Sequence, residues 1–339
     1  MVAPSLSRSI SVITVCMNRE QHLLDTAPRV AAWPHHSEHL VVDWSSRQPL
    51  HREALPPDPR LRLLRVEGEQ RWNLCRAYNF AIAQARGTCL FKLDADCWPA
   101  KLDDPAGLAD DGLICRFGSG EDGRLGQWII DRELVERLGG FNELFWGYGF
   151  DDKDFKARLR CHTGTPVREL PETAIGVIRH SIHLRASRDA QAGFRPGPLE
   201  YSRSHALKRA TSLSNRVMAA FCPWSAQAPR SRYSQDPATG SWRLEPASLP
   251  LPPPLVDQEL LRLRRQVYWG RFLLLPEVVV MELPLKLLPP DRHGAFRLRW
   301  WHRLYWYTVR LACSLPVALL SQLKGSRQRL AGLLRPGRG

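Results

Sequence analysis

The chain has little of what would mark it as secreted, membrane-spanning or zinc-stapled. Its 339 residues include eight cysteines: Cys16, Cys75, Cys89, Cys97, Cys115, Cys161, Cys222 and Cys313. No two of them form a C-x-x-C pair, and none joins histidines at zinc spacing. Several lie inside apolar runs, where a thiol behaves as a small hydrophobe. A reducing compartment is therefore expected. There is no run of about 18 uncharged apolar residues, which argues against a transmembrane helix. No cationic stretch leads into an apolar core of the secretory kind. The expected location is cytoplasmic, or peripheral at the inner face of a membrane. Internal repeats are absent. Acid is scarce in one part only: residues 201–339 hold 7 Asp/Glu against 22 Lys/Arg, whereas residues 1–200 hold 27 against 26. The net charge of +14 thus belongs to the C-terminal part. Such asymmetry points to an anionic partner surface, lipid or nucleic acid. None of the usual nucleic-acid motifs occurs, so no nucleic-acid partner is expected.

What is present is an alternation of apolar runs and amphipathic segments. Ser9 to Cys16 is a β-branched run that reads as a buried strand. The chain turns at Asn18-Arg19-Glu20, and a helix follows to about Trp33. His39 to Asp43 and Leu61 to Val66 are further strands. A helix is predicted from Arg71 to Ala85, closed by Gly87. Cys89 to Leu93 is a strand that ends on Asp94-Ala95-Asp96. Strands are also expected over 113–117 and 127–130. A short helix spans 131–138, a second spans 155–160, and a last strand runs from Ala174 to His180. Strand–helix alternation with continuous apolar strands predicts an α/β fold with a mostly parallel central sheet flanked by helices. Ligands bind such sheets beyond the carboxyl ends of the strands. Asn18/Arg19, Asp43 and Asp94/Asp96 all stand at such ends, and their convergence says more than any one of them.

Three segments follow: a catalytic or binding domain over 1–195, a Pro-rich and loosely ordered linker over 196–255, and a basic, aromatic-rich helical region over 256–339. In the last, arginines interleave with Trp and Tyr. That composition suits an interfacial segment on anionic lipid. A polyanionic glycan, or a small helical domain packed on the first, are the other readings.

Four features carry chemistry. Asp94-Ala95-Asp96 offers two carboxylates for a divalent metal bridging the phosphates of a nucleotide, or else is a solvated turn. His180 is a ligand for a manganese-type ion or a surface group. Phe145-Trp146-Gly147-Tyr148-Gly149-Phe150 places flat aromatic faces beside glycines, a way to hold a sugar ring. Asp151, Asp152 and Asp154 follow at a helix start. Asp152 is the candidate general base for a sugar hydroxyl and Asp151 a hydrogen-bonding contact for the acceptor; the bland alternative is helix capping.

In order along residues 9–190, these segments resemble the GT-A glycosyltransferases of the family-2 type, with a C-terminal part similar to that of the β-1,4-galactosyltransferases. Asn18-Arg19-Glu20-Gln21-His22-Leu23 is similar to an N-R-E-E-H-L segment. Asp94-Ala95-Asp96 stands where the D-x-D stands. Phe145 to Asp152 resembles W-G-W-G-G-E-D-D, and Val177-Ile178-Arg179-His180-Ser181 resembles M-I-R-H-S. The resemblance implies an inverting transferase that moves a sugar from a UDP-sugar to a glycan or glycolipid hydroxyl, of the cell-surface polysaccharide or lipopolysaccharide type. Asn18, Arg19, Asp43, Arg76, Asp94, Trp146 and Tyr148 would line the nucleotide-sugar pocket. Asp94, Asp96 and His180 would hold Mn2+ or Mg2+. Asp152, with Asp151, would be catalytic. Val177 replaces a metal-ligating methionine, Tyr148 a tryptophan, Phe150 a glycine and Asp151 a glutamate. The rival reading is a non-catalytic nucleotide-sugar or glycan-binding protein at a membrane surface.

Overall fold

The computed structural model describes residues 8–120, 123–163, 167–179, 198–258, 260, 261, 264, 300 and 304. Strand β1 (Ile10–Cys16) and strand β2 (Glu38–Trp44) are buried at every position. Continuous burial is why they read as unbroken apolar runs rather than alternating ones. Helix α1 (Glu20–Ala31) links them and turns His22, Leu23, Thr26, Ala27 and Val30 inward, the spacing of one helical face. Strand β3 (Leu61–Glu67) pairs parallel with β2. Helix α2 (Leu74–Gln84) is capped by Asn73, whose side chain accepts from the Arg76 amide, as a helix start requires. Strand β4 (Cys89–Lys92) then pairs parallel with β1.

Past β4 the sheet reverses. Strand β5 (Cys97–Pro99) leaves it to pair with β10 (Ile175–Val177). Strands β6 (Ala109–Asp110), β7 (Leu113–Phe117) and β8 (Trp128–Asp131) add antiparallel, with β8 against β4. Helix α3 (Arg132–Arg137) follows, then helix α4 (Asp151–Thr163) and the short strand β9 (Arg168–Glu169), parallel to β7. Helix α5 (Pro198–Phe221) comes next, followed by strands β11 (Tyr233–Gln235) and β12 (Trp242–Leu244). The main sheet runs β11-β12-β3-β2-β1-β4-β8-β7-β6. The expected α/β architecture, mostly parallel at its centre, is what is observed.

Two expectations change. The helix expected over 155–160 is α4, which begins at Asp151 and so takes in all three acids. Carboxylates in a first turn face unpaired N–H groups and the positive end of the helix dipole. Residues 196–255, expected to be loosely ordered from their prolines, carry α5 and two strands. β12 pairs parallel with β3 at Trp242↔Val66. Prolines there punctuate the elements rather than preventing them. The reading of 256–339 falls mainly outside the described residues.

Candidate active site

Because β1, β2, β3 and β4 are parallel, their carboxyl ends share one edge. The antiparallel β8 starts at that edge, since Lys92 is paired with Trp128. The loops leaving these strands and the starts of α1 and α4 surround a cavity of about 1110 Å³. Asn18, Arg19, Arg76, Asp94, Asp96, Trp146, Tyr148, Asp151 and Asp152 all line it. Nine of the expected site residues, drawn from four separate stretches, therefore meet.

At one end, Asn18 sits at φ +56°. Its Oδ1 accepts from the Arg47 amide at 2.9 Å, and its own amide donates to Ser46 Oγ at 3.0 Å. This ties the loop after β1 to the loop after β2. Arg19 follows at the start of α1. Burial lowers its pKa from the ordinary arginine value, against the pull of Cys16 and Asp96. Arg76 donates to Glu69 Oε2 at 2.6 Å, and Glu69 Oε1 accepts from Tyr233 at 2.9 Å. Asp43 differs from expectation: it is fully buried and does not line the cavity. Its oxygens accept from the Ser46 and Leu50 amides, each at 3.0 Å, and from Arg65. A carboxylate at a strand end that folds its own following loop has no oxygen left to turn outward.

The two acids of Asp94-Ala95-Asp96 are not equivalent. Asp94 Oδ1 accepts from Lys92 Nζ at 2.9 Å and Tyr78 Oη at 2.8 Å, and Oδ2 from Gln127 Nε2 at 2.8 Å. Lys92 is completely buried, donates also to the Gly126 carbonyl at 2.8 Å, and lies 4.6 Å from the Tyr78 ring centroid. Burial alone would lower its pKa, but the carboxylates of Asp94, Asp152 and Asp151 outweigh that and raise it. Lys92 is thus a fixed cation beneath the site. A single lysine in an otherwise apolar four-residue strand, two positions before an acid pair, was its sequence signal. Tyr78 and Gln127 gave none, being ordinary residues of a helix and a strand edge.

For a divalent metal, the fit rests on Asp96. Both acids line the cavity, Asp94 with its oxygens taken up by three donors and Asp96 next to Arg19, its Oδ1 3.5 Å from Cys97 Sγ. The hard oxygens of Asp96 suit Mn2+ or Mg2+. Among the described residues no cluster of three His, Cys, Asp or Glu could hold a metal alone. One carboxylate fits a metal that takes its other ligands from a diphosphate. His180 lies outside the described residues.

At the other end stands the acid pair. Phe155 of α4 stacks on Phe141 (centroids 4.8 Å) and on Trp128 (5.5 Å). Buried Arg158 pairs with Asp154 at 2.9 Å and donates to the Leu138 and Gly140 carbonyls at 2.8 and 2.9 Å. Together they fix α4, and so fix Asp151 and Asp152. Asp151 Oδ1 accepts from the Gly149 amide at 3.0 Å. Asp152 Oδ1 is buried without a hydrogen-bond partner among the described residues. A Cβ on Gly126 would lie 2.8 Å from Asp152 Oδ2, so a side chain at 126 would displace the carboxylate from its present place. Burial, then the Asp151 charge, raise the Asp152 pKa well above the usual carboxylate range, with Lys92 pulling the other way. Burial likewise raises Asp151. A carboxylate so perturbed in a cleft is a functional candidate. Cations cover the two aromatics: Arg264 lies 5.1 Å from the Trp146 ring centroid and Lys208 5.5 Å from that of Tyr148.

Residues 11–111 match the family described as Glycosyl transferase family 2. Residues 123–184 match the family described as N-terminal domain of galactosyltransferase. No curated protein sequence matches the chain. Solved structures similar to it include the mannosyltransferase PcManGT from Pyrobaculum calidifontis in complex with GDP-Man and Mn2+, at 15% identity, over 90% of this chain and 86% of that one, with a TM-score of 0.45. Another is the catalytic domain of Drosophila beta1,4galactosyltransferase 7 complexed with xylobiose, at 14% identity, 70% and 92% coverage, and TM-score 0.40. A third is glucosyl-3-phosphoglycerate synthase from Mycobacterium tuberculosis with Mn2+, UDP and glucosyl-3-phosphoglycerate, at 16% identity, 67% and 85% coverage, and TM-score 0.44.

Proposed function

We propose that this glycosyltransferase moves a sugar from a UDP-sugar to a hydroxyl of a glycan or glycolipid, with inversion at the anomeric carbon. The observation that carries the reading is Asp152. Its carboxylate borders the cavity, its Oδ1 is buried and unpartnered among the described residues, and its pKa is raised. A base of raised pKa is better matched to a hydroxyl than an ordinary carboxylate is.

The acceptor hydroxyl lies against Asp152. Its proton passes to an Asp152 oxygen as its oxygen attacks the anomeric carbon. The bond from that carbon to UDP breaks on the opposite face, and the electron pair leaves with the β-phosphate. Arg19 offsets charge on the departing diphosphate. Asp151 lines the cavity with Oδ1 held by the Gly149 amide, and it contacts the acceptor. Trp146 and Tyr148 line the cavity, and a sugar would stack on the ring faces that Arg264 and Lys208 do not cover. Asn18 and Arg76 shape the nucleotide end, and Asp43 acts on it through the loop it folds. Asp96 and His180 would hold Mn2+ or Mg2+, whose chemistry, when bound, is to neutralise the diphosphate. Asp94 orients the strand end.

The test is a screen of UDP-sugars, incubated with manganese and the protein, for released UDP. Turnover of at least one is expected. Asp152→Asn should lower that turnover by about 1000-fold while UDP binding, read by calorimetry, persists. Near-normal turnover by the variant would remove Asp152 from the role of base. No UDP release from any donor would favour a binding protein instead.

A further inference from the structure

The loop from Phe145 to Phe150 carries the aromatics and leads directly into Asp151 and Asp152. It is shaped by a helix that lies C-terminal to both matched segments. Asn215 of α5 is buried. Its Oδ1 accepts from the Trp146 amide at 2.9 Å. Its Nδ2 donates to the Trp146 carbonyl at 3.1 Å and the Gly149 carbonyl at 2.8 Å. One amide side chain therefore reads the backbone at both ends of the Trp146–Gly149 turn. The partners leave no ambiguity in its orientation, since an N–H needs the oxygen and two carbonyls need the nitrogen. One turn earlier on α5, Thr211 Oγ1 donates to the Tyr148 carbonyl at 2.6 Å. The loop lies close on the helix. A Cβ on Gly147 would come within 2.9 Å of Thr211 Cγ2.

The loop also needs such a clamp. Gly149 is at φ +107° and Phe150 at φ +76°. Glycine takes the left-handed region freely, but a phenylalanine there is strained and persists only where its surroundings over-determine it. Phe150 is the residue immediately before the acid pair, and its carbonyl accepts the Asp154 amide at 2.9 Å to start α4. The conformation of Phe150 thus sets where α4 begins and where Asp152 stands.

We propose that Asn215 is a positioning residue for sugar transfer. It pins the Trp146–Gly149 turn so that Phe150 is held left-handed and Asp152 is presented to the acceptor. The catalytic unit then extends through α5 to residue 221 and does not end near 195. This rests on the reading of Asp152 as base.

The test is a double-mutant cycle of Asn215→Ala with Phe150→Gly, on whichever UDP-sugar the wild type turns over. Hydrogen exchange of the peptide covering 145–152 is followed in the same proteins. With Phe150 in place, Asn215→Ala should lower kcat by about 100-fold, the scale of a misplaced catalytic group. In the Phe150→Gly background, where position 150 takes a positive φ without strain, the same substitution should cost less than about 10-fold. Exchange over 145–152 should quicken by about 10-fold or more in Asn215→Ala, with the β1 and β4 peptides unchanged. Equal losses of kcat in the two backgrounds overturn the positioning role. Unchanged exchange over 145–152 overturns the clamp itself. If the wild type releases UDP from no donor, the transferase reading fails, and the exchange measurement alone decides whether Asn215 holds the loop.

Discussion

His39 makes the stability of the fold depend on pH. It is the second residue of β2, 1% exposed. Its Nε2 is 3.3 Å from Thr14 Oγ1, and its Nδ1 is buried with no partner among the described residues. Burial, then the neighbouring His36 (ring centroids 6.5 Å apart), depress its pKa from 6.5 to about 3, while Asp58 opposes weakly. The folded protein refuses a proton that the unfolded chain accepts below 6.5. Stability from this group is complete above 6.5 and is lost as pH falls from there towards 3. At pH 5 the loss is about 2 kcal/mol, from about 1.5 pH units at 1.36 kcal/mol each. His36 is shifted in the same direction, first by burial. Glu143, Asp151, Asp152 and Asp154 act oppositely. Their pKa values are raised, chiefly by burial, so the fold takes up their protons more readily than the unfolded chain does.

The isolating measurement is therefore a comparison. Urea unfolding of wild type and His39→Gln is followed at pH 7 and pH 5. Glutamine keeps an amide near Thr14 and does not titrate. The variant should be less stable at both pH values, because a shaped core is disturbed. Its loss of stability between pH 7 and pH 5 should nevertheless be smaller than the wild type's by about 2 kcal/mol. If both proteins change equally over that interval, His39 is not held neutral by burial.

Two further outcomes are expected at the site. Asp96→Ala should abolish the metal-dependent part of UDP binding, whereas any metal-independent part persists; calorimetry with and without manganese separates them, and unchanged metal dependence removes Asp96 as the ligand. Lys92→Met should destabilise the protein by about 2 kcal/mol in urea unfolding, since it strips Asp94 and the Gly126 carbonyl of a donor. The cost stays below that of a fully buried pair because the Asp94 side chain is 36% exposed and water can replace part of the lysine; wild-type stability would show that this pair does not hold the strand end.

Much of the site was legible because its parts sit at strand ends. Asn18, Arg19, Asp94 and Asp96 follow apolar runs, and parallel pairing brings such ends to one edge whatever the loops do. Asp152 was legible from its place in an acidic run at the start of a helix. What stayed hidden depends on partners far along the chain. Asp43 stands at a strand end like the others, yet its oxygens fold residues 45–50 and meet Arg65, and nothing in its own sequence neighbourhood announces that. Asn215 lies 69 residues from the turn it holds, in a helix of mixed polar character. The prolines of 223–254 masked the pairing of β12 with β3, because a two-residue register leaves almost no periodicity to read.

The three acids of α4 share one turn and meet three fates, and helix geometry explains why. Residues three apart on a helix are neighbours on one face, whereas adjacent residues diverge by about 100°. Asp151 and Asp154 are three apart, and both are buried, at 6% and 2% exposure. Asp151 turns back to the Gly149 amide, and Asp154 meets Arg158 one turn on. Asp152 is rotated off that face, towards Gly126 and the cavity, with no protein donor in reach of its Oδ1 among the described residues. Asp154 thus anchors the helix, Asp151 ties the preceding turn from the cavity wall, and Asp152 is left without a protein donor at Oδ1 among the described residues. A start of α4 shifted by one residue would turn each of these side chains by about 100°, and Asp152 would leave its place beside Gly126. That is why the conformation of Phe150, the residue that fixes the first turn, matters more to the reaction than the ring it carries.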